Sequence, residues 1–469
     1  LKQLAPTLCY DSRRDILLFY QYFFERCPEE DFGMKEPFVS GPNGRKAGRH
    51  RAGVAAIWLT LLGPLASAAP AAHASEQDGA RQEASAVQQS GLRGFADTIG
   101  SALRKGHRRL EQAGLTIDAS VELEGFSNFR GGIKTGQAAA STVDLGLTAD
   151  TEKFLHWPGG TFHVDLQDHA GENPTTELVG DLQIFDKLNS APYLQVFELW
   201  YQQKLFADRL RLKIGKVDAN SEFSVIDNGL DFESSSAQVS PTVFLLPTTP
   251  APMPSTNLFF SPRETGYGSF GIYYSNRSVS FGNFLGSPED VQPSDNGMFV
   301  IGETGLRWRQ DPVFGHDGNL KLGAWDHTGT FTRFDGGRQE GTYGWYAIYD
   351  QTIRQPAGAS ESSRGLRCFL EYGRTQQTIN TIDWHTGGGL AWTGMFAVRP
   401  NDVAGFTSQY AHISKQAGLP HAYELALELF YKVQVRSWAE LQPDLQCILH
   451  PGGQYPTALV GTLRMKAVF

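Results

Sequence analysis

The chain has 469 residues, of which 41% are hydrophobic and 19% charged, with 51 glycines, 12% aromatic residues and a formal net charge of −9. Those proportions exclude a disordered chain and a bundle of membrane helices. They suit a large all-β structure with many tight turns, either soluble or membrane-inserted.

Residues 1–33 precede the first methionine, Met34, and read as an upstream or misassigned segment without a function. Residues 34–74 read as a secretory signal peptide. Arg45, Lys46, Arg49 and Arg51 supply its basic start, and residues 52–69 form an apolar run around Trp58, Leu59, Leu61 and Leu62. Ala72-His73-Ala74 offers small residues at the two positions a signal peptidase reads, with Ala66-Ser67-Ala68 as a second candidate. Pro64 and the alanine-rich tail argue against a membrane anchor. Removing residues 1–74 takes away nine Lys/Arg and seven Asp/Glu and leaves a net charge of −11. Such an acidic chain is a poor nucleic-acid binder.

Residues 75–90 read as a flexible mature N-terminus. Over 92–113 the period turns helical: Leu92, Phe95, Ile99, Leu103 and Leu110 recur on one face, opposite Arg104, Lys105, Arg108 and Arg109. The segment 75–114 is therefore a flexible start followed by a short helix, either at the periplasmic mouth of a barrel or in a solvated linker.

From residue 115 the period is two, which sends alternate side chains to opposite faces of a sheet. Ile117, Ala119, Val121 and Leu123 oppose Asp118, Ser120, Glu122 and Glu124. Phe162, Val164 and Leu166 oppose His163, Asp165 and Gln167; Leu210, Leu212 and Ile214 oppose Arg211 and Lys213. Over 423–436 an apolar set of Tyr423, Leu425, Leu427, Leu429, Tyr431, Val433 and Val435 faces away from Glu424, Glu428, Lys432, Gln434 and Arg436, with Ala426 and Phe430 among the latter. A soluble sandwich buries such an apolar face, whereas a barrel in lipid turns it outward and the charges toward a wet lumen. Strand length and the export signal favour the barrel.

The last strand supports that choice. Leu459, Gly461, Leu463, Met465, Ala467 and Phe469 share one face, and the chain ends on Phe469. A terminal aromatic on an alternating strand resembles the signal read by bacterial barrel-assembly machinery, and the closing strand must pair so that no edge is left in lipid. At roughly 20–25 residues per strand and connection, residues 115–469 allow about 14–18 strands, of which sixteen is the even choice. The expected fold is all-β: a transmembrane antiparallel up-and-down β-barrel of about sixteen strands with a short N-terminal periplasmic helix. Cys368 and Cys447 fall on apolar-face positions of separate strands and read as buried thiols.

Four segments in order resemble the carbohydrate-selective porins of the OprB type. They are Leu212-Lys213-Ile214-Gly215-Lys216-Val217-Asp218-Ala219-Asn220 with Phe223; Ser240-Pro241 with Leu246-Pro247-Thr248-Thr249-Pro250; Gly389-Leu390-Ala391-Trp392-Thr393-Gly394 leading to Arg399-Pro400-Asn401-Asp402; and Leu441-Gln442-Pro443-Asp444-Leu445-Gln446 with Pro451-Gly452-Gly453. The resemblance covers about residues 92–469. It implies an outer-membrane location in a Gram-negative cell, about sixteen strands, and passive diffusion of sugars such as glucose. It favours a monomer.

A sugar-selective pore needs a narrow zone that holds its solute weakly. Residues 224–263, stiffened by Pro241, Pro247, Pro250, Pro252 and Pro254, are the expected inward-folded constriction loop. Charged residues on the lumen parity are the expected channel lining: Glu198, Arg211, Lys213, Glu303, Arg307, Glu424, Glu428, Lys432 and Arg464. Gln434 shares that parity, and Asp218 and Asn220 lie in the first resemblance segment. Trp200 and Trp325 on the same parity are expected to stack on the C–H face of a sugar. Acidic and basic residues are mixed, which suits neutral polar solutes better than phosphate. A porin for other solutes and a structural barrel without flux stay open as alternatives. No Gly-x-Ser-x-Gly, His-Glu-x-x-His or zinc-type cysteine spacing occurs, so no catalytic residue, metal or cofactor is expected. Glu424 and Glu428 as a glycosidase pair remain the enzyme alternative.

Overall fold

The computed structural model describes residues 109–274, 297–356 and 364–469. The expected upstream segment, the expected signal peptide and all but the last turn of the expected helix lie outside them.

Sixteen strands close into one antiparallel barrel in chain order. They are β1 (Leu115–Arg130), β2 (Gly136–Asp150), β3 (Gly160–Gly171), β4 (Tyr193–Leu205), β5 (Leu210–Val217), β6 (Met253–Arg263), β7 (Gly266–Tyr274) and β8 (Met298–Trp308). They continue with β9 (Gly318–Thr332), β10 (Arg338–Arg354), β11 (Gly365–Thr375), β12 (Ile382–Thr393), β13 (Val403–Ile413), β14 (Tyr423–Arg436), β15 (Ala439–Leu449) and β16 (Ala458–Val468). β16 pairs with β1 from Leu459↔Arg130 to Val468↔Ser120, and the Phe469 N–H donates to Ala119 O at 2.8 Å. Closure leaves no unpaired edge, which a strand in hydrocarbon could not tolerate. No helix among the described residues is long and apolar enough to cross a membrane.

The two faces follow the sequence alternation. Leu145, Leu166, Leu258, Phe270, Leu322, Leu370 and Leu390 form an exposed apolar outer band. At its rim neighbouring aromatics run across five strands: Trp345–Tyr372, tilted, then Tyr372–Trp384, Trp384–Tyr410 and Tyr410–Tyr423, stacked, with centroids 5.1–6.4 Å apart. Trp438 stacks on Phe469 at the other rim. An apolar band between two aromatic girdles is what a bilayer selects on the outside of a barrel.

Connections at the end bearing the C-terminus are short, down to two residues at 264–265 and 437–438; the long ones sit at the opposite end. Two of those, 172–192 and 218–252, touch inward-facing side chains all round the ring. Phe223 packs on Phe259 of β6 and Tyr273 of β7, while Phe232 packs on Phe369 of β11 and Phe430 of β14. A segment that reaches opposite walls from within their inward faces occupies the interior.

One expectation is corrected here. The irregular segment ends at residue 252, because Met253–Arg263 is strand β6. Ser255, Asn257 and Phe259 point inward, and Thr256, Leu258 and Phe260 outward. Pro254 and Pro262 obscured that alternation; proline is tolerated at a strand start or irregularity but reads as a breaker. Cys368 is a free, half-buried thiol, and Cys447 is buried.

Candidate functional site

The inner wall carries carboxylates that grip the backbone of the two inward segments. Glu424 accepts from the N–H groups of Leu182 (2.8 Å), Gln183 (2.9 Å) and Gly452 (2.7 Å). Glu428 accepts from Glu233 N (2.7 Å) and Ser234 N (3.0 Å). Glu303 accepts from Ser224 N at 2.9 Å and from the hydroxyls of Tyr267 and Tyr346, each at 2.7 Å. Asp350 accepts from Asn228 N (2.9 Å), and Glu198 from Asp218 N (2.8 Å). A loop inside a barrel has no ladder to satisfy its amides, and each buried orphan costs about 1–3 kcal/mol. The wall carboxylates meet that demand.

Ion pairs complete the docking. Asp231 of the segment bonds Lys432 of β14 and lies 3.5 Å from Arg367 of β11. Asp227 takes Lys321 of β9 at 2.9 Å. Arg464 is a buried hub: its guanidinium contacts Glu122 (2.7 Å), Glu124, Asp186 (3.4 Å) and Glu233, so one cation ties β1 and β16 to both inward segments. Glycine lets the segment approach: a Cβ on Gly373 of β11 would stand 2.0 Å from Thr242 Oγ1.

Several expected lining residues thus do another job. Glu424, Glu428 and Arg464 do line the inner wall but are spent on holding the segments. The same partners leave no room for the two glutamates as an acid–base pair across a bond. Trp325 is 3% exposed and stacked on Phe299, so it packs under the loop and offers no face to a solute. Trp200 is covered by His163 (4.8 Å, stacked) and by Lys213 Nζ, 4.1 Å above its ring. Asp218 caps the 3₁₀ turn Ala219–Ser221 through Asn220 N, and Asn220 Nδ2 donates to Phe223 O. Gln434 is used locally, its N–H donating to Asp402 Oδ1 at 3.0 Å.

Arg211 and Arg307 border a cavity of about 450 Å³ on the short-turn side of the loop, and Lys213 reaches it only through Glu222, which lines it. That volume lies within the range of small-ligand pockets. Arg211 forks Glu222 at 2.7 and 2.9 Å above the Phe259 ring, and Lys213 bonds the same carboxylate. Arg307 differs: it lies 4.8 Å over the Tyr267 ring and has no carboxylate within ion-pair distance among the described residues. Sequence reading missed the inward segment 172–192. Its length and Asn173-Pro174 were the available signals, but nothing local showed which way it folds.

Burial works against a charged Glu222, yet the hydrogen bond from Arg211 and the charges of Lys213 and Arg211 outweigh it and hold the carboxyl below its ordinary range. Its folded pKa is depressed, so its stabilisation is present above the unfolded value and lost as pH falls through the folded one. Glu222→Gln is expected to cost about 2 kcal/mol. That difference should be constant from neutral pH down to about 5 and shrink only below the ordinary Glu value near 4.3. Urea unfolding of both proteins across pH checks it; a difference already gone at pH 6 would refute this assignment.

The family model of the carbohydrate-selective porins, OprB family, matches residues 134–469. The chain belongs to this family. Porin B of Pseudomonas aeruginosa (strain PAO1) is 24% identical over 439 residues, covering 78% of this chain and 88% of that protein. The high-pH structure of Pseudomonas putida OprB superposes with a TM-score of 0.68 at 19% identity, covering 77% of this chain and 96% of that one. The low-pH structure of the same porin gives 0.52 at 17% identity, covering 77% and 95%. At such identities the two structures speak for the fold alone. The family match covers both inward segments and every wall carboxylate named above except the β1 pair, Glu122 and Glu124.

Proposed function

We propose that this porin is a passive outer-membrane channel for neutral carbohydrates, glucose and related sugars, with the segment 218–252 as its constriction. The long-connection end would then face outside the cell and the C-terminal end the periplasm. The observation that carries the reading is the pairing of charge inside the barrel. Glu222, Asp227, Asp231 and Glu233 each stand against a wall cation, so a neutral solute meets hydrogen-bonding groups without a strong net field. Arg307 on its Tyr267 platform supplies an open fork for vicinal hydroxyls. A phosphate channel needs the reverse, a run of unpaired cations.

Liposome swelling with the refolded mature chain tests this. Glucose is expected to enter several times faster than an organic acid or an amino acid of similar size, and a disaccharide more slowly than glucose. Equal rates for all solutes of one size would make it a general porin. An absence of swelling, in a barrel that still shows heat-modifiable gel mobility, would leave a structural barrel.

A further inference from the structure

On β11 the inward parity is Phe369, Glu371 and Gly373, so Arg374 points outward. Its ladder partners are Trp345 and Trp384, both in the outer aromatic girdle. It stands one residue from the strand end at the long-connection rim and is exposed. None of its hydrogen-bonding capacity is taken by a side chain among the described residues. A lipid-facing arginine is costly at the bilayer midplane and nearly free of cost near the interface, so its depth is tolerable only beside the headgroups.

Arg374 borders a groove of about 680 Å³. Tyr343 and Trp345 form its apolar floor, 60% and 46% exposed. A polar rim stands beside them and is held in place: Gln339 Nε2 donates to Gln376 Oε1 at 2.8 Å, and Thr378 Oγ1 donates to Gln339 Oε1 at 2.9 Å. Of the two carboxylates in the groove, Asp383 is engaged by His412 Nδ1 at 2.6 Å, and Glu340 forms no ion pair among the described residues. The guanidinium is thus the open charged donor beside an aromatic floor and an amide rim, at headgroup depth.

We propose that this groove holds the phosphorylated headgroup of a glycolipid from the leaflet at the long-connection end. The assignment rests on the outer-membrane reading above. Arg374 forks a phosphate, whose geometry matches a guanidinium. The ring faces of Tyr343 and Trp345 take the apolar side of a sugar, and the amide rim takes its hydroxyls. A glycolipid uses all three elements; a glycerophospholipid headgroup uses the cation alone.

The test titrates the full mature chain in non-ionic detergent, read by native mass spectrometry. The probes are a bisphosphorylated glucosamine-disaccharide lipid, its dephosphorylated form, and phosphatidylglycerol. The bisphosphorylated lipid is expected to bind tightest. Arg374→Gln and loss of the phosphates should each weaken binding about tenfold or more, without adding to one another. Arg374→Lys should recover part of the loss. Equal binding of phosphatidylglycerol would overturn the proposal in favour of a general anionic-lipid contact, and unchanged binding by Arg374→Gln would overturn it outright. Should that variant fail to fold, the phosphorylated and dephosphorylated lipids on the wild-type chain still decide. Sugar entry through Arg374→Gln should equal wild type, which separates this proposal from the channel reading.

Discussion

An Arg464→Met variant is expected to lose about 3–5 kcal/mol of stability, the usual cost of removing one partner from a buried charge group. Glu124, Asp186 and Glu233 are each at most 2% exposed and would keep their carboxylates without the cation that joins them. The loss falls where β16 meets β1 and where both inward segments are tied down. Two readouts are therefore predicted together: a lower urea midpoint for the refolded barrel, and a larger, noisier single-channel conductance. Adding Glu233→Gln should recover part of the stability, since it removes one stranded charge. An unchanged midpoint would mean that the cluster relaxes through water and that the hub is not structural.

Phe232→Ala is expected to act on the pore more than on the barrel. Phe232 is fully buried between Phe369 and Phe430, with centroids at 5.8 and 4.9 Å. Emptying such a site costs about 3–5 kcal/mol. The sixteen-strand wall does not depend on that contact, so the cost is charged to the docking of 218–252. The heat-modifiable gel shift should stay, while conductance rises and disaccharides enter nearly as fast as glucose in the swelling assay. Phe206→Ala, at a turn and 75% exposed, is the control and should change neither. A Phe232→Ala barrel with wild-type solute discrimination would show that the segment is not the constriction.

The wall was legible in the sequence because strand alternation is local. The opposite faces of 423–436 and 459–469 appear in β14 and β16 with the parities read from period two alone. Chain length allowed about 14–18 strands, and sixteen, the even number chosen within that range, is the number that closes the barrel. The parity of Glu198, Arg211, Glu303, Arg307 and Trp325 was legible for the same reason.

What those inward side chains touch was not. Glu424 meets Leu182 and Gln183 across more than 240 residues of sequence, and Arg464 meets Glu124 across 340. No periodicity encodes such a pairing, because loops carry no repeating face and their amides bond whichever acceptor the closed barrel brings near. Trp325 shows the division on one residue. Its direction came from the alternating backbone, but its burial came from Phe299 and from the segment folded over it. Alternation and chain length were enough to read a closed barrel with an apolar outside and a charged inside. Which inner charges grip a loop and which, like Arg307, stay open depends on distances that exist only after closure.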